Sequence, residues 1–113
     1  MTTAEERGSA LPFAVACLGL VLLVGAALGV VAAMVAAHRT AQAAADLAAL
    51  AGASAVQHGA DGCAAAESIA DANGGVLDDC AVTDQDVTVT VRVAGPRWLG
   101  QRADLSAQAR AGP

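Results

Sequence analysis

The sequence predicts an α+β protein: a long N-terminal transmembrane helix extends out of the membrane, then come a short helix and a small antiparallel sheet of two or three strands. Three observations predict it. No charged residue lies between Arg7 and Arg39, alanine-rich helical sequence continues from there to about Gln57, and residues 87–93 alternate apolar and polar side chains. The organisation read from this is a short tail at residues 1–10, a helix at 11–57 and an extracytoplasmic α+β domain at 58–113.

The apolar run comes first. Residues 11–37 are 27 consecutive positions with no ionisable group except the Cys17 thiol. At 1.5 Å per residue they form a helix about 40 Å long, more than the roughly 30 Å hydrocarbon core of a bilayer requires. Pro12 falls in the first turn, where its missing N–H has no intrahelical partner to lose. A cleaved secretory signal is the alternative, because Ala-x-Ala sequences such as Ala41-Gln42-Ala43 are plentiful. Yet a signal has an apolar region of only about 7–15 residues behind a positive segment. This run is almost twice as long, and Glu5 and Glu6 offset Arg7. Retention as an anchor is therefore the expectation.

Residues 38–57 hold no proline, a single glycine (Gly52) and abundant alanine, the strongest helix former, so the helix is expected to continue beyond the bilayer. Arg39, Gln42 and Asp46 share one stripe; Leu47, Leu50 and Ala51 share another. Gly59 and Gly62 break the pattern. Asp61 is the expected N-cap of a second helix that ends at Asn73-Gly74-Gly75. Residues 87–93 form the clearest strand, Gly95-Pro96 ends it, and residues 105–111 alternate again as its antiparallel neighbour. Residues 76–82 read either as a third strand or as irregular chain. Besides valines, Ile69, Leu77, Trp98, Leu99 and Leu105 supply the large apolar side chains of this part.

A domain of about 60 residues buries too little surface to be comfortable alone, and an alanine-rich one less still. Cys63 and Cys80 answer that need. With no CxxC and no histidine at ligand spacing, a disulfide is the expected state, against the alternative of two buried thiols. A disulfide places this part of the chain in an oxidising compartment, which settles an orientation that Arg7 on one side and Arg39 on the other leave nearly tied. Cys17, inside the apolar run, reads as a small apolar filler.

The net charge of −5, with six arginines and no lysine, argues against nucleic acid as a partner. His38 and His58 stand about 30 Å apart on a helix and cannot share an ion. Asp78, Asp79, Asp84 and Asp86 lack the spacing and glycine of an EF-hand and read as solvated turn aspartates. Ser9, Ser54, Ser68 and Ser106 sit in no nucleophile motif, and no phosphate-binding glycine loop occurs. The reading is of a non-enzymatic protein with no cofactor, no metal and no small-molecule substrate. Its partners are the lipid bilayer and other membrane proteins. Gly25, Gly29 and Ala33 make a small-xxx-small stripe suited to close helix packing in lipid.

Arg7-Gly8-Ser9-Ala10, the long apolar run and HRTAQAAADLAALAGA at residues 38–53 together resemble the TadE/TadG-like proteins of tight-adherence (Flp) pilus systems. The segment around Gln42, Ala45, Asp46, Leu47 and Leu50 is its most specific part. A Cys-containing helix, NGG, a second Cys, a valine strand and a terminal ARAGP are similar to the short TadE-like proteins of high-GC Gram-positive bacteria. The resemblance implies a membrane-anchored, pseudopilin-like component of a pilus-assembly or secretion system. Its N-terminus would be cytoplasmic, its C-terminal domain extracytoplasmic, and its partners other pilin-like or Tad-system membrane proteins. Processed members are cut after a glycine followed at the fifth position by glutamate. Gly8 and Ser9 match the cut, whereas Phe13 replaces the glutamate and Pro12 precedes it. The alternative function is a stand-alone exported or membrane-tethered binding domain.

Overall fold

The computed structural model describes residues 3–98, 101, 102 and 104–113, without the side chains of residues 3–8, 98, 101 and 102. Two helices precede five strands: α1 (Thr3–Gln57), α2 (Gly62–Ala72), β1 (Val76–Thr83), β2 (Asp86–Val93), β3 (Arg97–Trp98), β4 (Gln101–Arg102) and β5 (Leu105–Ala111). The chain divides into two compact units, Met1–Ala32 and Ala33–Pro113.

The first unit is helix alone. α1 already includes residues 3–10, the segment read from the sequence as a tail. Once a helix is nucleated, each added residue gains a hydrogen bond, and Glu5 and Glu6 lie at the end where the helix dipole favours negative charge. Pro12 is thus inside the helix.

The second unit holds the core. Ala41, Ala44, Ala45, Ala48, Ala49 and Ala53 of α1 are buried in one cluster with Ala66 and Ala70 of α2, Val87, Val89, Val91 and Val93 of β2, and Ala107 of β5. On α1 these positions recur at i, i+3, i+4, i+7 and i+8, the period of one helix face. The α1 segment beyond the apolar run is therefore a wall of the domain, upstream of the 58–113 stretch. Its buried face is the alanine face; Leu47 and Leu50 point outward, 46% and 60% exposed. Alanine wins the interior because it lets a sheet approach a helix backbone closely, while the large contributions come from three fully buried valines, Val87, Val89 and Val91. Each is worth about 1.5–3 kcal/mol. Leu99, also a sequence candidate for the core, lies outside the described residues, as does the Trp98 side chain.

β1, β2 and β5 form an antiparallel sheet with β2 in the centre. Residues 76–83 are thus a full strand, and residues 105–111 pair with 87–93 throughout. Thr83 pairs with Asp86 across a two-residue turn in which Asp84 has φ 56°, a conformation that aspartate tolerates and such turns demand. A bulge between Leu77 and Asp79 leaves Asp78 as the extra residue. β3 and β4 pair separately as a two-stranded hairpin.

Candidate functional site

The hollows of the domain are open and shallow, one lined by Thr88, Gln108, Ala109 and Arg110, and the larger surfaces are those of α1. The described residues contain one helix long and apolar enough to cross a membrane, Ser9–Gln57, and its most apolar stretch is entirely unburied. Leu11, Phe13, Leu18, Leu20, Val21, Leu22, Leu23 and Leu28 are all more than half exposed. Water would not tolerate so long an apolar surface; lipid would solvate it. Gly25 and Gly29 lie on this surface with open space where a side chain would stand, and Ala33 is exposed. Ser9 is exposed on α1, and Gly8 is helical.

The segment singled out at Gln42, Ala45, Asp46, Leu47 and Leu50 divides by face. The Gln42 side-chain amide donates a hydrogen bond to Asp46 Oδ1 at 3.1 Å, one turn along the exposed side. Ala45 is fully buried on the opposite side. Leu47 and Leu50 are exposed and add apolar surface. Asp46 thus has a partner on its own helix.

Cys63 on α2 and Cys80 on β1 are joined by a disulfide across 17 residues of sequence, with their Cα atoms 5.9 Å apart. The bridge ties α2 to an edge strand of the sheet. α2 is fixed at both ends as well. Asp61 accepts a hydrogen bond from Ala64 N–H at 3.2 Å, and Asn73 donates from its side-chain amide to the Ile69 carbonyl at 2.8 Å. Gly74 then takes φ 76°, and Gly75 N–H reaches back to the Ala70 carbonyl at 2.9 Å. Cys17 is a free, exposed thiol on α1.

Two of the four aspartates of the strand region are held by arginines. Asp78, projected by the bulge, meets Arg92 at 3.5 Å. Asp86 forms an ion pair with Arg110, across the β2–β5 pairing. That hydrogen bond, and then the carboxylate's charge, raise the Arg110 pKa, so the guanidinium stays charged. Asp84 occupies the β1–β2 turn. Among the described residues no three His, Cys, Asp or Glu side chains gather as a metal would require.

Sequence reasoning missed two features here. The alanine face of α1 as a docking wall was open to detection, since Ala41, Ala44, Ala45, Ala48, Gly52 and Ala53 keep helical period; the leucines drew attention instead. The β3–β4 hairpin gives no periodic signal over two-residue strands.

Sequence comparison bears on the same stretch of the chain. A family model for TadE/G-like proteins of Flp pilus assembly matches residues 8–67, more than half of the chain. The chain belongs to the TadE/G-like Flp pilus-assembly family. No curated protein and no solved structure matches it. The TadE/G-like match takes in the apolar run, the alanine wall and α2 as far as Glu67, and stops before the sheet. The region this TadE/G-like protein shares with its family model is thus most of α1 and the first half of α2. The sheet and the β3–β4 hairpin stand outside the matched region.

Proposed function

We propose that this protein is a membrane-anchored, pseudopilin-like structural component of a Tad/Flp-type pilus-assembly or secretion system. Residues 11–37 cross the cell membrane once, the N-terminus is cytoplasmic, and the domain built on residues 41–111 stands outside. The single observation that carries this reading is that one continuous helix, α1, contains both an unburied apolar run long enough to cross a membrane and a wall of the domain. Such a protein cannot shed its anchor near the domain without cutting into its core. Cleavage at Ala41-Gln42-Ala43 would detach Ala41, which is fully buried. The Cys63–Cys80 bridge supports export, because disulfides persist in oxidising compartments.

The role is structural: the anchor holds the protein beside its assembly partners, and the exposed stripe at Gly25, Gly29 and Ala33 admits a sister helix at close range. Processing after Gly8, ahead of Ser9, would leave the whole anchor in place. Deleting the gene in its native host should abolish or sharply reduce surface pili or the corresponding secretion, with rescue by the intact gene. Normal assembly in the deletion strain would refute the role.

A further inference from the structure

The two edges of the three-stranded sheet differ. β1 is guarded: the bulge at Asp78 breaks its regular spacing, Asp78 and Asp79 are exposed on it, and the Cys63–Cys80 bridge straps α2 to it. β5 carries none of these devices. It pairs with β2 in unbroken register from Leu105 to Ala111, without a proline or a bulge. Among the described residues no strand lies on its far side. Ser106, Ala107, Ala109 and Ala111 are small, so another backbone can come close.

The β1–β2 turn shows which backbone groups this edge offers. A two-residue turn closes on a pair that exchanges both backbone hydrogen bonds, here Thr83 and Asp86. The two kinds of pair alternate along a ladder. Asp86, Thr88, Thr90 and Arg92 thus turn their backbone groups toward β1, and Val87, Val89, Val91 and Val93 turn theirs toward β5. Ala111, Ala109, Ala107 and Leu105, the partners of those valines, direct theirs to β2. Ser106, Gln108 and Arg110 are left pointing N–H and C=O away from the sheet. These groups are spaced as a strand spaces them, and an extended backbone is what matches them all. Arg110 adds charge to the edge: Asp86 pairs with it, yet its side chain is 68% exposed.

We propose that the free edge of β5 takes up an extended segment of a different exported protein, which adds a fourth strand to the sheet and sets a carboxylate opposite Arg110. This rests on the reading that residues 11–37 span the bilayer with the domain outside. A second copy of this chain does not fit. Two β5 strands paired antiparallel are related by a two-fold axis normal to the sheet, which reverses whatever lies along the strands. α1 lies along them. A methyl group added at Gly52 would lie 2.9 Å from Val87 Cγ1, and one added at Gly75 would touch both Val91 and Ala44, so β2 runs antiparallel to residues 44–52. Copies that share a membrane have α1 running the same way and cannot be so paired. An axis along the strands keeps the helices aligned but sets N–H opposite N–H.

The probe is a synthetic peptide with the sequence of residues 86–93, DVTVTVRV. Its aspartate falls opposite Arg110 when its threonines fall opposite Gln108 and Ser106. One form is N-methylated on the valine after each threonine, which leaves the edge that meets β5 intact. The other is N-methylated on both threonines, which blocks that edge. Added to the full chain in micelles, the first form should slow exchange of the Ser106, Gln108 and Arg110 amides about tenfold, and the second should not. Slowing by neither form, or by both alike, overturns the proposal. So does cross-linking of Gln108→Cys to its counterpart in bilayers, in a Cys17→Ser background, which would assign the edge to a second copy.

In the native host, Gln108→Pro removes one outward N–H and leaves the ladder with β2 in place. It should lower pilus assembly or secretion about tenfold, while Gln108→Thr retains it. Full assembly by Gln108→Pro overturns the edge contact alone; the structural role itself falls only if deleting the whole gene is also silent. If Gln108→Pro unfolds in micelles, the peptide pair decides.

Discussion

Gly52 of α1 and Gly62 of α2 face each other so closely that a methyl group on either would lie 3.0 Å from the other's carbonyl oxygen. The two helices meet there backbone to backbone, with Val87 of β2 against the same point. Neither glycine has an unusual φ; what each contributes is the missing side chain.

Gly62→Val therefore forces α2 away from α1, since its Cβ would also meet Val56 Cγ2 at 2.6 Å. The expected loss is about 1–3 kcal/mol, read as a lower midpoint in thermal unfolding of the full chain in micelles. Gly25→Val, where the space is open, should leave that midpoint unchanged. Equal effects of the two substitutions would contradict the packing described.

The alanine wall makes a paired prediction. Ala48 is fully buried, so Ala48→Leu should destabilise the domain by about 1–3 kcal/mol. Leu50→Ala on the exposed face should change stability by no more than about 0.5 kcal/mol. Urea unfolding in micelles measures both. A larger effect at Leu50 would place the core on the wrong face of α1.

Reduction isolates the staple. Cys63→Ser with Cys80→Ser should cost about 3 kcal/mol, as expected for closing a loop of this length. Thiol counting tests the bridge without mutation: one alkylated cysteine, Cys17, in the denatured but unreduced protein, and three after reduction. Three before reduction would show the bridge unformed.

The Asp86–Arg110 pair is a surface pair, so Arg110→Ala should shift the unfolding midpoint little. The central valines of β2, by contrast, are essential: Val89→Ala should cost about 1–3 kcal/mol in the same assay.

Much of this architecture was legible because it rests on strong local patterns. Twenty-seven uncharged residues make a helix long and apolar enough to cross a membrane, the 87–93 alternation makes a strand, and Asp61 with Asn73-Gly74-Gly75 brackets α2 closely. The Cys63–Cys80 pairing was legible because no other cysteine lies in that part of the chain. The hidden features depend on tertiary contacts. Alanine carries too little hydrophobic contrast to announce a buried face, so the stripe of Leu47, Leu50 and Ala51 does not reveal which side is covered; the valines of β2 do. The bulge at Asp78 is set by its pairing with β2 and by Arg92, neither visible in local sequence. The apolar run could be read directly, whereas the side of α1 that the sheet covers required the packing of β2.

The central claim is that lipid solvates residues 11–37 of the finished protein. Alkaline carbonate extraction of membranes from its native host, followed by intact mass determination of the recovered chain, tests it in one step. The expected result is protein that stays with the membrane pellet at a mass that retains residues 11–37, whether or not the first eight residues are removed. Protein released into the supernatant, at the mass of a chain beginning at or beyond residue 37, would contradict it.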